Sequence, residues 1–440
     1  MLKIYNTQTK TKKEFKPLKE NEVSLYVCGP TLYGDIHIGN ARPIVFFDVV
    51  YRFLKSQKIN VKYASNITDI DDKIINKAIL EGKTEEKIVQ ENFGAFENIL
   101  HKLNVLPVDY RPTVTEYMQE IIDFIAKLIN TKYAYQASNG DVYFKIAKIQ
   151  EYGQIANRKI EELLAGSRIE IDQAKENDLD FTLWKKTTKG ITWDAPFGTG
   201  RPGWHTECVV MIRSIFGDQI DIHGGGMDLK FPHHENENAQ NVAVSHQNLA
   251  NYWLHNGFVN IDNEKMSKSL NNFITVKKIL QEYDANVIRL LLLQTNYRQP
   301  INLTEDFIKQ TQKLYNKFNN FANSITVVDY EKYQTTELNT EVIKNMEDDF
   351  NIPNVITLIL QMIKMQNIQD FITTTNLLGL KIAYCLTEAD LPVEVLKKYQ
   401  TAQKLLEQKL YDQYQELTQE LSEQGYLLIR TKEKLIIKER

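Results

Sequence analysis

The segment Val23-Ser24-Leu25-Tyr26-Val27 is the feature that most narrows the fold. It is β-prone and stopped by Cys28-Gly29-Pro30, and after a glycine-containing loop Arg42 to Lys55 places Ile44, Phe47, Val50, Tyr51 and Leu54 on one helical face. A second short strand, Val61-Lys62-Tyr63-Ala64, ends at Asn66-Ile67-Thr68-Asp69 and leads into a helix from about Asp71. Strand, loop, helix, strand, loop, helix is the signature of a parallel sheet wound by helices. Ligands of such sheets sit beyond the carboxyl ends of the strands, where Cys28, His37 and Thr68 fall.

The chain has 440 residues, too many for one core, and its texture changes along its length. A helix from Tyr117 to Leu128 leads into turn-rich pieces such as Ala137-Ser138-Asn139-Gly140-Asp141, which reads as an insertion. The α/β pattern resumes near Arg201, with a helix from about Cys208 to Phe216, a strand Gln219 to His223 and a turn at Gly224-Gly225-Gly226. After Thr304 nearly everything is helical, ending in a long helix from Ala402 to Gln424. With 53 Lys+Arg against 57 Asp+Glu there is no global basic field, so any nucleic-acid contact must use a local patch. Three cysteines exclude a disulfide scaffold and turn attention to metal ligation. The first twenty residues lack a signal-type apolar run, and Val287 to Leu293 is short and contains Arg289, so a cytoplasmic chain without membrane contact is expected.

Two short motifs suit phosphate chemistry, although taken singly the first also reads as a tight loop with a surface histidine and the second as a solvated basic turn. His37-Ile38-Gly39-Asn40 lies between a strand and a helix, where backbone amides and the helix dipole face an anion, Gly39 leaves room for a nucleotide and His37 offers a donor to a phosphate oxygen. Lys265-Met266-Ser267-Lys268-Ser269 supplies two ammonium groups suited to a phosphoryl centre that changes geometry. A third group is metal-like. His233 and Glu237 are one helical turn apart behind Pro232, while Cys28 and Cys208 offer thiols elsewhere in the α/β part, and all four are acceptable zinc ligands. Their spacing is not that of a compact zinc finger, so buried cysteines beside an ordinary helix face remain an alternative on spacing alone. Cys385, between Tyr384 and Leu386 in a helical stretch, reads as core.

Together these segments resemble the cysteinyl-tRNA synthetases of class I. The resemblance is carried by Tyr26-Val27-Cys28-Gly29-Pro30-Thr31, Asn66-Ile67-Thr68-Asp69-Ile70-Asp71-Asp72-Lys73, Gly200-Arg201-Pro202-Gly203-Trp204-His205, His223-Gly224-Gly225-Gly226-Met227-Asp228-Leu229, His233-His234-Glu235-Asn236-Glu237 and the KMSKS run. It implies an α/β, split Rossmann-like catalytic domain (1–117 and 201–260) with a connective insertion (118–200). A KMSKS and stem-contact segment (261–310) and an α-helical tRNA- and anticodon-binding region (311–440) would follow. It implies one Zn²⁺ on Cys28, Cys208, His233 and Glu237, with ATP, accompanied by Mg²⁺, meeting Gly39, Asn40, Asp228 and Lys268. His37, Lys265 and Lys268 would stabilise phosphate charge, and Gly29, Thr68 and Trp204 would line the amino-acid pocket. His205, His223 and His234 would shape the pocket or support the zinc ligands.

The expected activity is ATP-dependent ligation of L-cysteine to tRNA(Cys) through cysteinyl-adenylate, by a monomer. A thiophilic ion explains the choice of substrate, because an apolar pocket separates small isosteres poorly whereas sulfur ligation rejects a serine hydroxyl. Selectivity of about 10⁴ needs only about 5–6 kcal/mol. Two departures stand out. Asn40 replaces the second histidine of the commoner motif, and the tail lacks a tryptophan, all four lying between 184 and 253. Tyr426 would stack instead on an anticodon base, with Arg430, Lys432 and Lys434 on phosphates. The alternatives are a paralogue passing activated cysteine to a small amine, and a zinc-stabilised RNA-binding protein without catalysis.

Overall fold

In the computed structural model, which describes residues 1–158, 174–266, 273–431 and 434–439, four parallel strands form the central sheet. These are β1 (Glu22–Val27), β2 (Asn60–Ala64), β3 (Ile220–Gly226) and β4 (Ala250–Asn256), in the order β4–β3–β1–β2. Leu25 stands opposite Ile222 in β3 and Tyr63 in β2, so the carboxyl ends of β1 and β3 finish side by side. The order reverses between the two βα units, which opens a crevice at that edge.

Three helices cover the sheet next to the crevice: α1 (Ile38–Ser56), α2 (Trp204–Phe216) and α3 (Glu235–Ser245). Of the apolar face expected for the first, Phe47, Val50, Tyr51 and Leu54 are at most 3% exposed, while Ile44 is half-buried and lines the cleft. α1 starts four residues earlier than the sequence periodicity indicated, because the His37 imidazole caps it. α2 likewise starts at Trp204 rather than Cys208, immediately after Gly203. A Cβ at Gly203 would sit 1.9 Å from the Thr182 carbonyl oxygen, so only glycine lets the insertion's strand come this close.

The triple glycine is a correction. Gly224 to Gly226 continue β3 instead of turning. Their missing side chains serve close packing: a Cβ at Gly224 would lie 2.1 Å from Phe47 Cζ, and one at Gly225 3.0 Å from His234 Cε1. Phe47 is fully buried and has nowhere to go. Gly224→Ala is therefore expected to destabilise the chain by about 1–3 kcal/mol through overpacking, read as a lower thermal midpoint.

The stretch expected to be an insertion contains the helix Met118–Asn130 and a four-stranded antiparallel sheet of Ala134–Gln136, Val142–Phe144, Phe181–Lys186 and Gly200–Pro202. By contacts, one compact unit comprises Met1–Tyr283, Thr295–Leu303 and Met346–Asn351, and the other Asp284–Gln294, Thr304–Asn345 and Ile352–Arg440. The second unit is mainly helical, with two corrections. The expected long helix is two, Val393–Glu407 and Tyr411–Glu423, separated where Lys409 takes a positive φ of 59°. The tail then forms an antiparallel hairpin, Tyr426–Arg430 with Leu435–Glu439, whose Leu435 and Ile437 join a core with Val395, Tyr399 and Leu421. Cys385 is buried as expected, but in an extended bridge to Thr326 rather than a helix. No helix among the described residues is long and apolar enough to cross a membrane.

Candidate metal centre and nucleotide cleft

Four donors separated by up to 209 residues meet at the crevice. Cys28 follows β1, Cys208 lies in the second turn of α2, His233 in the turn Lys230–His234, and Glu237 in the first turn of α3. Their ligand atoms all lie within 4.8 Å of one another. The Cys28 and Cys208 sulfurs are 3.7 Å apart, and Cys28 Sγ is 3.6 Å from both His233 Nε2 and Glu237 Oε1. Two thiolates on a tetrahedral ion at a Zn–S length of about 2.3 Å stand about 3.8 Å apart, so the sulfur pair fits such an ion. The shortest edge, 2.6 Å from His233 Nε2 to Glu237 Oε1, is a direct imidazole–carboxylate hydrogen bond.

Burial and mutual charge shape this cluster. Burial pushes the Cys28 thiol well up, while its hydrogen bond to Cys208 draws the Cys208 thiol down to about 6. Burial opposes charge on Glu237 and His233 alike. The nearby His233 and His223 nevertheless hold the Glu237 carboxyl well below its usual range, and Glu237 carries His233 up to about 10. A soft divalent cation bound here would displace the protons that Cys28 and His233 hold, because a metal takes its thiol and imidazole ligands deprotonated.

Further imidazoles brace the donors. His223 Nε2 lies 2.6 Å from Glu237 Oε2, and His205 Nδ1 lies 3.1 Å from His233 Nδ1. His234 Nδ1 meets His255 Nε2 at 2.8 Å, and His255 Nδ1 meets Thr7 Oγ1 at 3.0 Å. Burial holds His205 and His255 at about 3, hence neutral. Sequence reading did not single out His255. Its position at the end of β4, beside the β3 end that carries His223, was the available signal. A second donor set, Cys28, His223, His234 and Glu237, is equally compact. The insertion is clamped to the same helix, with Gly153 and Ala156 N–H groups donating to Glu235 at 2.8 and 2.7 Å.

A cleft of about 270 Å³ opens from Cys28 and Gly29 past His37, Gly39 and Asn40 to Trp204 and Asp228. Trp204 is 40% exposed and stacks on His233, with centroids 4.2 Å apart and planes 19° apart. The Gly29 N–H donates to Asn66 Oδ1 at 2.9 Å, and a Cβ there would collide with the Asn66 carbonyl oxygen at 1.7 Å. Thr68 is 2% exposed and sits behind the cleft wall, bridged to Thr31. Lys73, which closes the Asn66–Lys73 run in the sequence, joins the lining with its ammonium 5.3 Å over the Tyr33 ring.

His37 and Asn40 form a reciprocal cap. The Asn40 N–H donates to His37 Nδ1 and the His37 N–H donates to Asn40 Oδ1, both at 3.3 Å. The His37 proton therefore sits on Nε2. The loop before α1 is also tied to the segment after the KMSKS run, by Ile38 N–H to Ile274 O at 3.1 Å and Val276 N–H to Ile36 O at 2.9 Å. Lys265 lies in the short strand Glu264–Lys265, while its side chain and the whole of Lys268 fall outside the described residues.

A profile described as "tRNA synthetases class I (C) catalytic domain" matches residues 14–313. The cysteine–tRNA ligase of Acholeplasma laidlawii is 48% identical over 378 residues, covering 83% of this chain and 86% of that one. That of Streptococcus agalactiae is 46% identical over 372 residues, covering 83% of each. A Staphylococcus aureus cysteine–tRNA ligase is 45% identical over 378 residues, covering 83% of this chain and 81% of its own. In fold, the chain is similar to Mycobacterium tuberculosis methionyl-tRNA synthetase in complex with methionyl-adenylate, with TM-score 0.59, 12% identity, and 81% and 88% of the two chains covered. By these identities and coverages the chain belongs to the cysteine–tRNA ligase family of the class I aminoacyl-tRNA synthetases.

Proposed function

We propose that the chain ligates L-cysteine to tRNA(Cys) in two steps, activation by ATP with Mg²⁺ and transfer to the terminal ribose, acting as a monomer in the cytoplasm. Cys28, Cys208, His233 and Glu237 would hold one Zn²⁺, which when bound supplies a soft Lewis acid for the substrate sulfur. The observation that carries this reading is the place of the four donors: Cys28 belongs both to the cluster and to the lining of the cleft shared by His37, Gly39 and Asp228.

The residues' own work follows from where they stand. Gly29 lets the chain after β1 lie against the Asn66 backbone and so line the amino-acid space beside Cys28, which Trp204 closes from the α2 side. His37 Nε2–H donates to a phosphate oxygen at the head of α1, where the helix dipole adds its field. Asp228 accepts from ribose hydroxyls, and Lys265 and Lys268 stabilise the charge that develops as the cysteine carboxylate displaces pyrophosphate. No enzyme nucleophile is needed. The helical second unit would meet the tRNA, with Tyr426, Arg430 and Lys434 on the terminal hairpin offered to the anticodon; Lys432 falls outside the described residues. The bacterial relatives named above support cysteine as the amino acid.

Cysteine-dependent exchange of pyrophosphate into ATP, paired with charging of tRNA(Cys), tests the reading. Both should be present. Exchange without charging would favour a small-molecule acceptor, and neither would leave an RNA-binding protein. The ligand set has its own check. His233→Asn should lose the ion to a competing chelator, whereas His234→Asn should weaken zinc retention by no more than about 10–100-fold. The opposite ranking in metal analysis would assign the ion to Cys28, His223, His234 and Glu237.

A further inference from the structure

We propose that Tyr26 is a positioning residue of the metal centre, its hydroxyl donating to the Cys208 sulfur once a metal holds that sulfur. The inference rests on the ligand set proposed above, Cys28, Cys208, His233 and Glu237. Tyr26 stands in β1 two residues before Cys28, and the Cys28 N–H continues the ladder by donating to Gly224 O at 3.3 Å, so both side chains leave the strand on one face. Tyr26 is in register with His223 of β3, and its ring meets the His223 imidazole edge-on with centroids 5.4 Å apart. The residue is fully buried in the core that also holds Cys208, yet its hydroxyl has no hydrogen-bond partner among the described residues. A tyrosine buried to this depth ordinarily finds one, and leaving the hydroxyl unpaired is unfavourable.

The Cys208 sulfur supplies what the hydroxyl lacks, and it faces the phenol within hydrogen-bonding reach. While Cys28 keeps its proton, its thiol donates to Cys208 Sγ at 3.7 Å. A metal takes both sulfurs as thiolates and so removes that donor, leaving a buried thiolate that needs another. Asn66 Oδ1, 3.8 Å from Cys208 Sγ, is an acceptor that the Gly29 N–H already uses, and it can give a thiolate nothing. The phenol O–H is the donor in place. A neutral thiol sulfur is a weak acceptor whereas a thiolate is a strong one, so the hydroxyl gains its partner with the metal. The bond would fix the direction of the sulfur and draw electron density from it, as hydrogen bonds to metal ligands generally do.

The test loads the full chain and Tyr26→Phe with cobalt(II), follows the sulfur-to-metal charge-transfer band, and measures zinc retention against a competing chelator. Phenylalanine keeps the ring and removes one unpaired oxygen, so the metal-stripped variant should melt no lower than the stripped wild type. Zinc should nevertheless be held about 10–100-fold more weakly. The cobalt band should move to lower energy, because a thiolate without its donor gives up an electron more readily. An unmoved band would overturn the proposal and leave Tyr26 a packing residue, whatever happens to zinc retention. A stripped variant that melts well below the stripped wild type would show the hydroxyl already paired without metal, and would overturn it too. Cys208→Ser at saturating cobalt checks the ligand set separately and should lose part of the band. A band kept whole there would mean that Cys208 is not a ligand and would remove the set and the proposal together, whereas an unmoved band in Tyr26→Phe alone removes only the proposal.

Discussion

Cys208→Ser should lower kcat/KM for cysteine by about 10³–10⁴, equivalent to about 4–5.5 kcal/mol, while leaving the dissociation constant for ATP within about twofold. The substitution is nearly isosteric, and Cys208 is 2% exposed in a helix whose start is fixed by Gly203, so the fold should tolerate it. What changes is the donor. A serine hydroxyl stays protonated near neutral pH and is a hard oxygen, whereas the Cys208 thiol is already drawn down to about 6 by Cys28. Zinc content should fall with cysteine affinity, and the preference for cysteine over serine in the exchange assay should shrink. Cys385→Ser is the internal control. That thiol is also buried, but it sits in the helical unit and donates to the Asn323 carbonyl at 3.1 Å, so zinc content and exchange should be unchanged. A Cys208→Ser chain that keeps its metal and its preference for cysteine would remove the sulfur-recognition proposal altogether.

The sheet was legible in the sequence because the β1–α1–β2 segment carries clean strand and helix periods and the connection must be parallel. The metal group was legible only through resemblance. Spacing left it open, since the tertiary order β4–β3–β1–β2, which places the β1 end beside the β3 end, is what closes the gap between Cys28, Cys208 and the His233–Glu237 turn. The misread elements share a physical cause: a distant partner overrides a local preference. Gly224-Gly225-Gly226 looks like a turn to a local reading but is extended because Phe47 and His234 occupy the space above it. The terminal hairpin falls in a stretch read as helical, yet Leu435 and Ile437 lie in a strand and are at most 7% exposed because Val395, Tyr399 and Leu421 bury them. His255 went unnoticed because a single histidine near a strand end has no pattern, and only the His255–His234 contact gives it a role.

His37 caps α1 and, in the proposed reaction, donates to a phosphate; substitution can separate the two, and its Asn variant is the sharper probe. As the cap of α1 it accepts from the Asn40 N–H through Nδ1, which puts the ring proton on Nε2, the nitrogen that would donate to a phosphate. His37→Ala should therefore cost about 1 kcal/mol of stability from the lost cap and about 10²–10³ in kcat for adenylate formation from the lost donor. Asparagine is among the best capping residues, and its short side chain can accept from the same N–H. It cannot also reach where the far side of an imidazole reaches. His37→Asn should accordingly restore the melting midpoint to that of the wild type while leaving kcat as low as in His37→Ala, with KM for cysteine little changed in either. Recovery of both stability and rate would mean that the imidazole serves only the helix, and that phosphate charge is met by the Lys73 side of the cleft and by the KMSKS lysines. Loss of cysteine affinity in step with rate would instead tie His37, whose ring stands 5.0 Å from that of Phe273, to the amino-acid pocket and overturn its proposed role on the phosphate.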